Sequence, residues 1–237
     1  MSVPQPLVIV PTYNEKDNIE RLIDAVRDIF PEAELLVIDD NSPDGTAMLV
    51  RRRAQGDGAV HLLEREKKAG LGTAYVRGFR WALERDYTHV LQMDADFSHD
   101  PSLLPIMLSR ADKADLVLGS RWVPGGSVVG WPVNRLVLSR CANLYAQRIL
   151  GLGIRDLTGG FKCFRRSTLE ALDLAAIRAM NYGFQIETTW QVVRRGFRVV
   201  EVPIRFVERR FGASKLSGAT ISEAALLVWR LRYERFF

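Results

Sequence analysis

Short apolar runs alternate along the chain with segments of helical periodicity. LVIV (residues 7–10), LLVI (35–38), AVHLL (59–63), HVLQM (89–93) and DLVLG (115–119) are nearly continuous in hydrophobicity, the pattern of strands covered on both faces. In NIERLIDAVRDIF, Ile19, Leu22, Ile23, Val26 and Ile29 fall at i, i+3, i+4, i+7 spacing, and Asn14 with Asp17 offers an N-terminal cap. GTAMLVRRRAQ, GLGTAYVRGFRWALER and PSLLPIMLSRA predict three more helices. Strand alternating with helix requires right-handed crossovers, so the fold class is α/β with a mostly parallel central sheet, as in half of a doubly wound nucleotide-binding fold.

Beyond residue 120 the rhythm changes. A Gly/Pro/Trp loop (RWVPGGSVVGWP) precedes a helix near 134–150, a short strand FKCF, a helix near 184–195 and a strand RVVEVPIRF. No stretch rich in Pro, Gly or Ser divides the chain, which predicts one domain over residues 1–219 followed by a C-terminal helix over 220–237. In that helix Leu227, Val228, Leu231 and aromatic residues interleave with Arg230, Arg232 and Arg235. Such a mix suits either an anionic membrane surface or packing on the domain. The helix near 134–150 is a second candidate for a lipid interface.

Charge narrows the choice of partner. The formal net charge is +5, with arginines crowded into the second half, which favours an anion such as a nucleotide, a lipid phosphate or a nucleic acid. Cys141 and Cys163 are too few for a disulfide framework and lack metal-ligand spacing, which points to a reducing compartment. No run approaches the roughly 18 apolar residues of a spanning helix, and the N-terminus lacks a basic start and a cleavage site, so a cytoplasmic protein is expected.

The acidic residues fall at strand ends. Asp39 and Asp40 close the second strand, Asp94 and Asp96 close HVLQM, and PTYNE follows the first strand. In open α/β sheets ligands bind outside the carboxyl ends of the strands. Two like charges one residue apart repel unless something positive lies between them. In an extended segment both would point to one side and reach a single hard cation, Mg²⁺ or Mn²⁺, whose shell phosphate oxygens and water complete.

PTYNE, IDDNSPDGT, LGTA, MDADFSHDP, GSRW, DLTGGF, YGFQIE and FVERRFGASKL, in this order, resemble glycosyltransferase family 2, and within it the polyprenyl-phosphate mannosyltransferases, from Leu7 to about Leu216. The resemblance implies a GT-A (Rossmann-like) fold with a GDP-mannose donor at the carboxyl edge of the sheet. Pro11, Tyr13, Glu15, Asp39 and Asp40 would hold the guanosine, and Asp94, Ala95 and Asp96 the diphosphate. Asp94, Asp96 and Ser98 would bind the metal, although many relatives carry Gln where Ser98 stands. Arg121, Arg135 and Ser139 would face the acceptor phosphate, with Arg209 and Lys215 also directed at phosphate. Asp94, Asp96, Arg121, Arg209 and Lys215 would then be the catalytic set. Glu187 lies where relatives with hydroxyl acceptors place a catalytic acid.

The implied reaction is metal-dependent, inverting transfer of mannose to a polyprenyl (dolichyl) phosphate at the cytosolic face of a membrane, with or without an anchoring subunit, and with no nucleic-acid partner. A lipid phosphate, with a second pKa of about 6, is already largely dianionic near neutral pH and needs no strong general base. It does need cations that hold two anionic groups in line, a task for arginine forks.

Other readings stay open for several residues. DDNSPDG is also a turn sequence, GLG either cradles phosphate or packs, and Asp156 with Gly159 and Gly160 either shapes the acceptor floor or forms a structural turn. His61, His89 and His99 lack ligand spacing. UDP-glucose or another donor, or a hydroxyl acceptor, would keep the fold. Processive synthases of the family carry QxxRW, whereas WQVVRR lacks the final Trp, and sugar nucleotidyltransferases begin with a Gly-rich loop that PTYNE is not. A basic nucleic-acid-binding protein would explain the charge but not the acidic strand ends.

Overall fold

The computed structural model describes residues 5–179, 183–208 and 218–234, with the side chains of 218–221 excepted. The first half follows the expected alternation: β1 (Pro6–Thr12), α1 (Lys16–Ile29), β2 (Glu34–Asp39), α2 (Thr46–Gly56), β3 (Val60–Glu64), α3 (Leu71–Leu83) and β4 (His89–Gln92). Then come α4 (Leu104–Ala111), β5 (Leu116–Ser120), β6 (Ser127–Val129), α5 (Val133–Leu150), β7 (Lys162–Arg165), α6 (Arg166–Ala171), α7 (Gly183–Arg194), β8 (Val199–Pro203), β9 (Arg205–Val207) and α8 (Gly218–Glu234).

Among the described residues seven strands form the main sheet in the order β3-β2-β1-β4-β7-β5-β8. Of these, β7 alone runs antiparallel to its neighbours, β4 and β5. Side chains alternate between the two faces. Leu7, Ile9, Leu36, Ile38, Leu116 and Leu118 join the core beneath α3, α5, α7 and α8. Val8, Val10, Leu35, Val37 and Val117 join the core beneath α1, α2 and α4. Both faces are covered, which is why these strands are apolar throughout.

Three local readings need correction. The start of α1 is held not by Asn14 and Asp17 but from the next crossover: Asp44 accepts from the Lys16 N–H at 3.0 Å and Thr46 Oγ1 from the Glu15 N–H at 3.0 Å. Asn14 adopts φ 60°, turning the chain out of β1. RVVEVPIRF is two strands, because Pro203 has no N–H to continue the ladder. After it Ile204 donates to Ser120 O at 3.0 Å, and β9 pairs in parallel with β6 as a separate two-stranded sheet. Ile29, at the expected inward position, is 40% exposed at the end of α1.

α8 packs on α5 and α7. Its Leu227, Val228 and Leu231 enter the core, while Leu226 is 72%, Trp229 47% and Tyr233 62% exposed. Val133, Val137, Leu138, Leu144 and Tyr145 are exposed on α5. Among the described residues no helix is long and apolar enough to cross a membrane.

Candidate active site

β4 pairs with β1 as far as Gln92 opposite Ile9, and Met93 still donates to Ile9 O at 3.1 Å. The chain then turns rather than staying extended. The Ala95 methyl goes into the core, 3% exposed, while Asp94 and Asp96 on either side of it line a cavity of about 430 Å³. Ser98, Arg121, Arg135 and Ser139 line the same cavity. The expected carboxylates and the expected acceptor-side groups therefore meet around one space.

The carboxylate end is held from behind. The Asp94 N–H donates to His99 Nδ1 at 3.2 Å, which places the imidazole proton on Nε2. His99 is buried and stacks on Phe161 at 4.9 Å. Burial keeps it below its ordinary pKa, against the opposing pull of Asp94 and Asp96. Tyr75, on α3, is fully buried and stacked on Phe184 at 5.7 Å. Its hydroxyl donates to Met93 O at 3.4 Å beside the Asp94 carboxylate, and burial followed by that negative charge holds the phenol well above its usual pKa. It stays protonated beside Asp94. Asp96 Oδ1 accepts from the Ser98 N–H at 3.0 Å.

These residues fit a hard divalent ion. The buried Ser98 Oγ has no hydrogen-bond partner, and two carboxylates line the wall beside it. Among the described residues no group of three or more His, Cys, Asp or Glu assembles, so a closed structural zinc cage is not the fit. A sparse set of two carboxylates is what Mg²⁺ or Mn²⁺ takes when substrate phosphates supply the remaining ligands.

The basic end is already paired. Asp156, fully buried, engages Arg121 through its backbone N–H at 2.9 Å, Nε at 2.7 Å and one terminal nitrogen at 2.6 Å. That terminal nitrogen also donates to Thr158 Oγ1 at 2.9 Å. Glu201 accepts from the N–H groups of Arg155 and Asp156, and Asn143 Oδ1 accepts from Leu157 and Thr158. The DLTGGF loop is thus fixed from β8 and from α5. Arg135 lies over the Trp131 ring at 4.0 Å and pairs with Glu208. Ser139, one turn further along α5, is exposed to the cavity.

The other expected donor residues cluster at the ends of β1 and β2 and do not line this cavity. Asp39 accepts from Thr12 Oγ1 at 2.8 Å, Ser42 N at 2.8 Å and Ser42 Oγ at 2.6 Å. Asp40 pairs with Arg65 at 2.9 Å, and Lys68 lies 4.1 Å over the Tyr13 ring. Burial of Asp44 opposes its ionisation, but hydrogen bonds from Thr46 and Lys16 prevail and lower its pKa. DDNSPDG is therefore a braced turn as well as an acidic strand end. Pro11 pairs with Ile38, one residue before the β1–β2 pairing ends at Thr12 opposite Asp39, and Glu15 stands at the mouth of α1. Arg209 and Lys215 lie outside the described residues.

Glu187 does not line the cavity. It is buried and accepts from the Ala179 and Arg178 N–H groups at 3.0 and 3.3 Å, and burial raises its pKa despite those bonds. It fixes the loop before α7 rather than touching a sugar in this cavity. Two residues earlier, Gln185 does line it. In the GLG segment, a Cβ on Gly72 would lie 2.4 Å from Ala179 O, so that glycine permits close packing. Tyr75, Asn143, Gln185 and His99 were not assigned site roles from sequence, because nothing in their local spacing marks them. For Tyr75 the only signal is an aromatic residue following a tight glycine turn.

An α/β sheet with acidic strand ends facing arginine forks is the framework of a phosphate-handling transferase. A profile of glycosyl transferase family 2 matches residues 7–173, and the chain belongs to that family; it is a glycosyltransferase with a GT-A-like fold. It is 49% identical over 230 residues to the polyprenol monophosphomannose synthase of Mycolicibacterium smegmatis, covering 95% of this chain and 87% of that one. It is also 49% identical over 224 residues to the undecaprenyl-phosphate mannosyltransferase of Micrococcus luteus, covering 94% and 92%. Glucosyl-3-phosphoglycerate synthase of Mycobacterium tuberculosis, solved with Mn²⁺, UDP and glucosyl-3-phosphoglycerate, superposes with a TM-score of 0.71 at 20% identity, over 97% of this chain and 80% of that one.

Proposed function

We propose that this enzyme transfers mannose from GDP-mannose to a polyprenyl phosphate, with inversion, using Mg²⁺ or Mn²⁺, while associated peripherally with the cytosolic face of a membrane. The observation that carries the reading is the cavity itself. Its wall combines Asp94, Asp96 and the guanidinium groups of Arg121 and Arg135 with the apolar side chains of Leu138, Ala142 and Tyr145 of α5 and of Ala225 and Val228 of α8. A phosphate with a long apolar tail matches both kinds of lining. The names of the two mannosyltransferase relatives support the same substrates.

Asp94, Asp96 and Ser98 would hold the cation, which when bound supplies positive charge to the departing diphosphate. Pro11, Tyr13, Glu15, Asp39 and Asp40 hold the nucleoside, and the backbone at Ala95 approaches the diphosphate. Arg121, Arg135 and Ser139 orient the acceptor phosphate, joined by Arg209 and Lys215. An acceptor oxygen attacks the anomeric carbon from the face opposite the diphosphate, whose C–O bond breaks as the new bond forms. That oxygen carries no proton, so no side chain has to remove one. α8 supplies part of the acceptor wall and, through Leu226, Trp229 and Tyr233, an apolar surface for the bilayer.

The test is radiolabel transfer from GDP-mannose into organic-phase polyprenyl phosphate by the purified chain, with Mg²⁺ or Mn²⁺ and with EDTA, UDP-glucose being run in parallel. Metal-dependent mannolipid is the expected product. Glucolipid alone would change the donor, and lipid product appearing only after a membrane fraction is added would establish the need for an anchoring subunit.

A further inference from the structure

The cavity contains a buried polar side chain that none of the groups above uses. Gln185, in the first turn of α7, is 2% exposed, and neither its Nε2 nor its Oε1 has a hydrogen-bond partner. Desolvating a carboxamide without replacing its hydrogen bonds is costly. The backbone that carries it is anchored. Lys162 Nζ donates to the Gln185 carbonyl at 2.8 Å and to Thr188 and Thr189 Oγ1 at 3.1 and 3.0 Å, which fixes the turn from which the amide projects.

Gly160 leaves the space the amide faces. A Cβ there would lie 3.3 Å from Gln185 Nε2, 3.8 Å from His99 Cε1 and 3.9 Å from Asp94 Oδ1. One small volume is therefore bounded by a neutral donor–acceptor group, the C–H edge of an imidazole and one of the two cavity carboxylates. The anionic parts of both substrates are addressed elsewhere, by the arginine forks and by the cation site. What lies next to a diphosphate held at Asp94 is the sugar attached to it, which presents neutral hydroxyls and C–H faces.

We propose that Gln185 is a specificity-determining residue for the donor, binding a vicinal pair of hydroxyls of the hexose over Gly160. Nε2 donates to one hydroxyl oxygen and Oε1 accepts from its neighbour, so the amide reads the relative orientation of the pair. His99 Cε1 lies against the ring face. The inference rests on the nucleotide-sugar reading of the cavity and goes beyond it by naming the group that reads the sugar.

The experiment compares wild type with Gln185→Met, Gln185→Leu and Gly160→Ala. It uses GDP-mannose transfer kinetics, deoxy analogues of the donor hexose, and calorimetric binding of GDP with Mg²⁺; if UDP-glucose is the active donor, UDP and UDP-glucose replace them. The expected result is GDP affinity within about twofold of wild type and kcat/KM for the intact donor lower by about 10- to 100-fold, as for two lost hydrogen bonds to uncharged groups. Wild type discriminates against one deoxy donor, and the Gln185 variants do so at least about fivefold less. Retained GDP binding shows the variants are folded. Unchanged kcat/KM with discrimination intact in Gln185→Met, or a parallel loss of GDP binding in all three variants, overturns the inference. Absence of transfer by wild type from any nucleotide sugar overturns the underlying reading instead.

Discussion

The Asp156 carboxylate takes three hydrogen bonds from Arg121, at 2.6–2.9 Å, one of them from the backbone N–H of the same residue. The guanidinium therefore reaches the cavity in a fixed orientation with its charge balanced. Asp156→Asn leaves that charge buried without its counter-ion. We expect a loss of about 3–5 kcal/mol in unfolding free energy, measured by urea denaturation, together with a raised KM for the lipid phosphate. Unaltered stability and unaltered KM would mean that Arg121 does not depend on Asp156 for either.

Tyr75 acts on the carboxylate pair without entering the cavity. Tyr75→Phe removes one hydroxyl from a position stacked on Phe184, and with it the protonated group beside Asp94, with little change of volume. Partners that orient a metal ligand typically contribute about 10- to 100-fold in metal affinity. The expected outcome is a shift of the Mg²⁺ or Mn²⁺ activation curve to higher concentration with near-normal activity at saturation. A proportional fall in activity at every metal concentration would contradict this.

Lys162 makes stability depend on alkaline pH. Its amine is fully buried among neutral oxygens, and burial lowers its pKa well below the usual lysine value. Between the folded and the ordinary value the unfolded chain binds more protons than the native protein. Stability contributed by this residue therefore rises with pH across that window, by at most about 1.4 kcal/mol per pH unit. Lys162→Met removes the dependence. Unfolding free energies measured from pH 7 to 10 should show wild type gaining relative to the variant, and parallel curves would refute the assignment.

The exposed apolar residues of α8 supply a membrane test. Leu226→Ser with Trp229→Ser alters only outward positions, while the inward Leu227, Val228 and Leu231 keep the helix docked. Sedimentation with anionic vesicles should fall several-fold, with circular dichroism unchanged. Equal binding by the double variant would show that Leu226 and Trp229 do not carry the membrane contact.

The alternation of apolar strands with amphipathic helices made the sheet legible as far as β5, because each strand is buried on both faces and each helix on one. β6 and β9 were hidden, since Ser127–Val129 lies in a Gly/Pro/Trp loop and the break at Pro203 interrupts what reads as one run. Asp94 and Asp96 line one cavity with the basic residues of GSRW and NRLVLS, whereas Asp39 and Asp40 at the end of β2 do not. Asp156 was visible only as an ambiguous turn residue. The pairing that gives it meaning spans 35 residues to Arg121, and no local pattern encodes it. Tyr75 and Gln185 sit inside helices whose periodicity reports burial and nothing about the polar atom at the tip.

The reversed strand β7 has a consequence for how the protein is made. It lies between β4 and β5, with Gln92 and Leu118 both opposite Lys162, so both neighbours emerge from the ribosome before the strand that joins them. Until then each keeps a bare hydrogen-bonding edge, a known route to misassembly. Chain order also delays the Gly159–Gly160 loop and Gln185 until well after Asp94 and Asp96. A nascent chain stopped short of α7 would thus carry the acidic pair and the α5 wall but lack Gln185 and the α8 side of the cavity. Competence for catalysis and closure of the sheet arrive together, late in synthesis.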